Sequence, residues 1–462
     1  MRISSIISEY NPFHEGHKYH MENTKKITNS DYTIVIMSGN FTQRGTPAII
    51  DKYARTKQAL LNGADLVLEL PLYFSTASAE GFAFGAVSIL DKLGVIDSLV
   101  FGSESGNIKL IEKAADFLAK ESIVSNTLGK NDLCNVSYEL NIFREYLQRF
   151  LKQGFSFPKA RAKALHEIFP DLDYDFLSSS NNILGIEYCR ALKYFNSSIK
   201  PMTIARKDNL YHDETLSEIG KLSSATAIRK VLLNDKKQDL SENRKLSSAT
   251  IGSVLLNNTE RACVNENNVP FDTLSAHMPE NSLKMLKENW SICAPISSKD
   301  FSLLLKYKLL MENRDSLTKY ADVTSDLADR IYNNLNLYKD FDSFCELLKT
   351  KELTYTRIAR SLIHILLDIR KTDYNFIKNT NYGQYARILG FRKEASPLLR
   401  EIKKYSSIPM ISKLSDSVKE LEGTALTILE KDIQAAHIYE SVVADKFGQD
   451  FRNEFQRQLV IV

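Results

Sequence analysis

The chain has 462 residues, 43% hydrophobic and 25% charged, with 60 Lys and Arg against 57 Asp and Glu for a formal charge of +3. This is the composition of a globular protein with room for two or three domains. No run reaches the roughly 18 apolar residues of a membrane span, and the five cysteines stand far apart without a CxxC pair, which excludes a disulfide framework and a zinc ribbon.

The first expected element is the strand "ISSIIS", residues 3–8. It runs into "SEYNPFHEGHKYH", Ser8 to His20. His14-Glu15 opens the H-E-x-x-H zinc pattern, but Lys18 occupies the place of the second histidine, and His20, six residues from His14, falls on another helix face. A helix opening at His14 after the Asn11-Pro12 turn fits better. His14 and His17 then share a face, Gly16 lets a ligand approach the backbone, and the helix amides point at phosphate. The pattern resembles the H-x-G-H of the nucleotidyltransferase superfamily that includes class I aminoacyl-tRNA synthetases.

"YTIVIM", "DLVLELP" and "DSLVFG" are the next strands, separated by helices at "KYARTKQALLNGA" and "GFAFGAVSILDKLG". Apolar strands alternating with helices require a parallel sheet covered on both faces, a Rossmann-like doubly wound α/β domain. Ligands of such sheets bind beyond the carboxyl ends of the strands. Those ends carry "SEYNPFHEGH", "SGNFTQRG" and "GSESG", three polar loops on one rim.

Residues 140–200 read as mostly helical, with "NNILGIEYCRALKYF" an amphipathic helix, followed by a short strand, "MTIARK". In "KLSSATAIRK", Ser223, Ser224 and Thr226 can cap a helix start, with Arg229 one turn inside. Hydroxyls, amides and a guanidinium together make a grip for a triphosphate. "KLSSAT" recurs at Lys245 to Thr250 without the arginine, a local echo in a loop-rich stretch, 236–280, that reads as the connection between domains.

From 281 the patterns are nearly all helical. Residues 352–413 are biased to base, with Arg357, Arg360, Arg370, Arg387, Arg392, Lys393, Lys403 and Lys404 among them, and Tyr374, Phe376, Tyr382, Tyr385, Phe391 and Tyr405 interleaved. Basic residues that track phosphates and aromatics that stack bases would make this an RNA-binding face. The rim near Arg44 and Lys52 is the other place for RNA. The expected organisation is a catalytic domain at 1–235, a connection at 236–280 and a helical tRNA-binding domain at 281–462.

Taken together, "SEYNPFHEGHKYH", "MSGNFTQRGTPAIIDKYAR", "NGADLVLELP", "FGSES", "NNILGIEY", "TIAR", "SSATAIR" and "ARILGF" resemble the successive signatures of the bacterial tRNA(Met) cytidine acetate ligase family, from residue 2 to about 395. Two departures are Ser180, where the family has proline, and Lys207 to Leu210, in place of a glycine-rich turn. The resemblance implies an enzyme that activates acetate with ATP and acetylates the wobble cytidine of elongator tRNA(Met) to N4-acetylcytidine. The scattered cysteines, reading as reduced thiols, and the lack of a membrane-spanning run point to a cytoplasmic protein, with magnesium expected to arrive as Mg-ATP. The resemblance carries ATP-binding positions onto Ile7, Ser8, Glu9, Tyr10, Asn11, Pro12, Phe13, His14, Glu15, Gly16, His17, Lys18, Tyr19 and His20, and onto Gly102, Asn181 and Arg206. Ser224 and Thr226 join them as phosphate ligands, and His14, His17 and Arg229 are the expected catalytic groups. No carboxylate pair suggests itself for a resident metal. Two rival readings share these motifs, a small-molecule adenylyltransferase of the phosphopantetheine or nicotinate-mononucleotide kind and a non-catalytic RNA-binding protein. The first has no use for a basic helical region of nearly 200 residues, and intact histidines disfavour the second.

Overall fold

The structure, a computed structural model, describes residues 1–127, 138–206, 216–217, 222–233 and 271–462. The second "KLSSAT", most of the 236–280 connection and Lys207 to Leu210 lie outside the described residues.

Five parallel strands form the expected sheet: β1 (Ile3–Ser8), β2 (Tyr32–Ser38), β3 (Leu66–Leu70), β4 (Ser98–Ser103) and β5 (Lys200–Ala205), in the order β5–β4–β1–β2–β3. The order reverses at β1, so the crevice between β1 and β4 is the topological switch point. Ile34, Val35, Ile36, Met37, Leu66, Val67 and Leu68 are fully buried, as strands with both faces covered must be. The crossover helices are α1 (Glu15–Thr28), α2 (Lys52–Leu61), α3 (Ala79–Lys92) and α4 (Ile108–Thr127), and Asp51 caps α2 by accepting the Ala54 N–H at 2.8 Å. Then come α5 (Tyr138–Lys152), α6 (Phe157–Ile168) and α7 (Ser180–Tyr194). α7 was expected to be amphipathic, yet its residues from Gly185 to Leu192 are buried without a break, because α7 lies between α3, α4 and the sheet.

After 281 the chain is mainly helical, as the pattern predicts, but it also completes the sheet. β6 (Ala386–Phe391) pairs antiparallel with β3, with Glu69 opposite Arg387 and Leu66 opposite Phe391. β7 (Met410–Ile411) and β8 (Val460–Ile461) then pair parallel with β6. Four buried charges fasten this edge. Lys52 Nζ lies 2.7 Å from Glu69 and 2.6 Å from Glu454, and Arg387 lies 2.9 Å from Glu69 and 2.6 Å from Glu454. The helices around them are α9 (Tyr355–Leu366), α10 (Ser396–Tyr405) and α11 (Gly423–Phe447), with α8 (Ala225–Leu233) before them. Tyr439 of α11 donates to Ala48 O at 2.8 Å, and the Leu72 N–H donates to Asp432 at 2.7 Å. Residues on either side of 236–280 therefore share one sheet. Among the described residues no helix is long and apolar enough to cross a membrane.

Candidate active site

His14 is the N-cap of α1, and the cap is built from two imidazoles. His14 Nδ1 accepts the Gly16 N–H at 3.0 Å, and His17 Nδ1 accepts the His14 N–H at 3.3 Å. A capping box ordinarily uses Ser or Thr with Glu or Gln. An imidazole that accepts through Nδ1 is neutral and carries its proton on Nε2, so each ring keeps one N–H donor. The rings stack with centroids 3.7 Å apart, and Tyr10 meets His17 edge-on at 4.9 Å. Burial, then the Arg206 and Arg229 charges, push the pKa of His14 down to about 3. Burial, His14, His20 and the same arginines hold His17 well below the usual histidine range.

Two expectations about this helix start change. A Cβ on Gly16 would lie 2.8 Å from His14 Cε1, so the glycine already serves the fold, by admitting the His14 ring across the first turn. The α1 amides are also already committed. Glu15 N–H donates to His277 O at 2.9 Å, Gly16 N–H to the His14 ring and His17 N–H to His14 O at 2.9 Å. One of the donors expected to meet phosphate is taken by the His14 ring and the other two by backbone carbonyls.

The other half-site has its donors open. Ser224 Oγ accepts the Ala227 N–H at 3.0 Å and caps α8, while the amides of Ala225 and Thr226 have no acceptor among the described residues. Arg229 ties the halves together, donating to Asn11 O at 2.7 Å and to Thr226 Oγ1 at 3.1 Å.

Both halves line one cleft at the carboxyl ends of β1, β4 and β5. Its walls include Ile7, Ser8, Glu9, Tyr10, Asn11, His14, Gly16, His17, Tyr19, His20, Gly102, Asn181, Arg206, Ser224, Thr226 and Arg229. Pro12, Phe13, Glu15 and Lys18, expected from the motif, do not line it. Phe13 is fully buried with Tyr10 and His17 at 4.8 and 5.6 Å, and Glu15 and Lys18 fall outside the 14–17–20 face of α1. A Cβ on Gly102 would meet only Arg206 Cγ at 3.7 Å and His20 Cδ2 at 3.9 Å, ordinary contacts, so the protein leaves that space open. His20 Nε2 is buried and has no hydrogen-bond partner among the described residues. Asn181 is held by Glu104, whose carboxylate accepts from Asn181 Nδ2 at 2.8 Å and from the Asn182 N–H at 2.9 Å.

Several wall residues were not singled out in the sequence. Thr42 and Gln43 come from the "SGNFTQRG" loop and Thr46 follows it, beside Arg44, which was expected on an RNA-binding rim and also lines the cleft; Phe82, Phe101, Leu184, Tyr188 and Ile204 form an apolar side. Arg55 is fully buried and holds the two rim loops together, donating to Glu9 O at 2.7 Å, Ser38 O at 3.0 Å, Ile50 O at 3.1 Å and Gly39 O. Its place in "DKYARTKQ" resembles any helical cation, so only the fold shows the role.

The cleft thus presents two neutral imidazole donors, open amides at α8 and the guanidiniums of Arg44, Arg206 and Arg229, against the single carboxylate of Glu9. That donor set fits a polyphosphate, and the apolar side fits a purine or a small acyl group. Among the described residues no group of three His, Cys, Asp or Glu could hold a metal.

The expected RNA-binding face is rearranged by the fold. Tyr385 is buried and donates to Asp432, which leaves no face for a base, while the half-buried Tyr374 donates to Tyr73 O and the half-buried Tyr382 packs on Phe84 at 5.5 Å. Phe376 and Tyr405 are half exposed. Arg387 and Lys52 are buried in the four-charge network, and Arg360 pairs with Asp322. Arg392 lies beside Asp65, where β3 begins, and Tyr405 O touches the Gly94 turn that leads into β4. That edge of the sheet is opposite the cleft.

Residues 1–454 match the HIGH nucleotidyl transferase family. The chain is 38% identical over 447 residues to the tRNA(Met) cytidine acetate ligase of Clostridium perfringens strain ATCC 13124, covering 95% of each chain. It is 35% identical over 470 residues to the Acetivibrio thermocellus enzyme of the same name, covering all of both. Thermotoga maritima TmcAL bound with alpha-thio ATP superposes with a TM-score of 0.80 at 28% identity over the whole of both chains, and its apo form with a TM-score of 0.82.

Proposed function

This chain belongs to the HIGH nucleotidyl transferase family, with tRNA(Met) cytidine acetate ligases as its relatives, and from that premise we propose that it is an ATP-dependent acetate ligase acting on the wobble cytidine of elongator tRNA(Met). The observation that carries the reading is the Arg229 bridge, which joins the H-x-G-H turn to the "SSATAIR" helix start around one cleft.

Acetate is ionised at neutral pH and needs no base. Its carboxylate oxygen attacks the α-phosphorus of ATP, the bond to the β-phosphate bridging oxygen breaks, and pyrophosphate leaves with the electron pair. Negative charge moves onto the phosphates in that step. His14 and His17 Nε2–H, the Ala225 and Thr226 amides, Arg206 and Arg229 are the groups placed to receive it, each good donor being worth about 3 to 4 kcal/mol in comparable sites. Magnesium enters on the nucleotide. The neutral state of the histidines matters, because a stacked pair at 3.7 Å could not hold two charges without an anion beside it.

In the second step the cytidine N4 attacks the acetyl carbon, AMP leaves and N4 gives up a proton. The base must leave its stack to reach the cleft. We propose the cytoplasm as its location, since its RNA substrate is found there. The test is pyrophosphate release from ATP with tRNA withheld. Release that requires acetate supports the reading, and release that ignores acetate overturns it in favour of a different adenylyl acceptor.

A further inference from the structure

The fold places a second surface next to the cleft. Gly45, beside the cleft residue Arg44, has φ +71°, and a Cβ there would lie 2.2 Å from Arg360 N, so this loop is seated directly on the backbone of α9. From that contact α9 runs back to its first turn, which carries Arg357, about 5 Å away at 1.5 Å per residue. Just before it, Glu352 lies against Gly154, where a Cβ would be 3.5 Å from its carboxylate. Gly154 is the tip of the α5–α6 hairpin. On either side of that tip stand Lys152 and Lys159, both exposed, with Phe157 52% exposed between them. No carboxylate lies within 4.0 Å of the charged atoms of Lys152, Lys159 or Arg357 among the described residues, while at longer range Arg357 helps to hold the buried Asp322 carboxylate in its ionised form.

We propose that this ridge, from the α9 first turn to the α5–α6 tip, is the docking surface for the anticodon arm of the RNA substrate. The proposal rests on the function proposed above. A cytidine turned into the cleft leaves its flanking phosphates at the mouth, and the cations that neutralise them must lie within a few nucleotides of it. Arg357, Lys152 and Lys159 meet that requirement, because they follow one another outward from the cleft wall. Phe157 offers a face on which an unpaired neighbouring base can stack. Lys403 and Lys404 of α10 sit next to Tyr405 at the opposite edge of the sheet and do not meet it. Two segments far apart in sequence thus meet at one mouth.

The experiment compares three full-length proteins, the wild type, a Lys152→Glu/Lys159→Glu/Arg357→Glu variant and a Lys403→Glu/Lys404→Glu variant. Binding of elongator tRNA(Met) is measured at two salt concentrations beside tRNA-free, acetate-dependent pyrophosphate release and thermal melting. A Lys152→Glu/Lys159→Glu variant accompanies them in case reversal at Arg357 disturbs α9. The expected result is at least a tenfold loss of tRNA affinity in the triple variant, with the salt slope lower by about two to three units from a loss of about 0.7 to 0.9 per phosphate contact. Pyrophosphate release should be unchanged, and the α10 variant should bind as wild type. Wild-type binding by both ridge variants would overturn the proposal, as would loss of binding in the α10 variant. Wild-type protein that binds the tRNA but releases no acetate-dependent pyrophosphate would sink the function reading instead, and the ridge assignment would stand.

Discussion

His14 and His17 cap the same helix end through their own rings, each Nδ1 accepting a backbone N–H while the imidazoles stack 3.7 Å apart. The arrangement fixes which nitrogen of each carries the proton. It also separates two jobs that alanine scanning would confuse.

His14→Asn tests that separation. Asparagine is among the best N-caps, so the helix start should survive, whereas alanine should cost about 1 kcal/mol of stability in addition. Both variants lose the Nε2–H donor. Acetate-dependent pyrophosphate release should fall on the order of 10²- to 10³-fold in each, with thermal melting near wild type only for asparagine. Normal turnover by His14→Asn would remove the ring from the mechanism.

The pH dependence follows from burial, which with Arg206 and Arg229 lowers His14 to about 3 and with Arg206 lowers His20 to about 4. In the unfolded chain these groups protonate near 6.5. Between these values the unfolded state binds more protons, so stability is fully present above about pH 6.5 and declines as pH falls toward the folded values. A triphosphate beside the imidazoles favours their charged forms, so ATP binding should take up protons over that same window. Calorimetry of ATP binding in buffers of different ionisation heat reads the uptake directly. Proton release would reverse the assigned charge state.

The glycines make a paired test. Gly16→Ala puts a Cβ 2.8 Å from His14 and should displace the ring, lowering stability and activity together. Gly102→Ala meets only contacts of 3.7 Å and longer and should fold normally. Its methyl occupies cleft space, so ATP affinity should drop at an unchanged melting temperature. Unaltered ATP affinity in Gly102→Ala would move the nucleotide away from β4.

Arg229→Ala should cost about 1.5 to 3 kcal/mol in kcat/KM for ATP. It also leaves Asn11 O and Thr226 Oγ1 without their donor. Melting followed with and without ATP should therefore show both a lower starting stability and a smaller ATP-induced shift. A variant with wild-type ATP kinetics would make "SSATAIR" a structural motif.

Arg387→Met should be among the more damaging single changes in the chain, at about 3 to 5 kcal/mol, because it leaves Glu69 and Glu454 to share one buried Lys52. Chemical denaturation measures it. A small effect would mean that water enters the site.

The parallel strands, and the cleft positions within the H-x-G-H and "SSATAIR" motifs, were legible because apolar runs and those motifs are local signals. β6 was not: "ARILGF" is six residues in a helical setting, and only its pairing with β3 makes it a strand. The aromatics interleaved in the basic stretch were misread as base-stacking for a related reason. Spacing cannot tell Tyr385, bonded to Asp432 in the core, from an aromatic that stacks a base. Arg55 and the commitment of the α1 amides were invisible too, because both depend on carbonyls brought in from other segments. Phe13 shows the same limit inside the motif itself: the family resemblance carried an ATP-binding position onto it, and the fold packs it in the core against Tyr10 and His17.

The most direct test of the account gives the purified protein ATP, isotopically labelled acetate and unmodified elongator tRNA(Met), and then analyses the digested tRNA by mass spectrometry. Label is expected in N4-acetylcytidine at the wobble position, with one AMP and one pyrophosphate formed for each acetyl group transferred. AMP and pyrophosphate formed without acetate, or label absent from that cytidine while ATP is consumed, would contradict it.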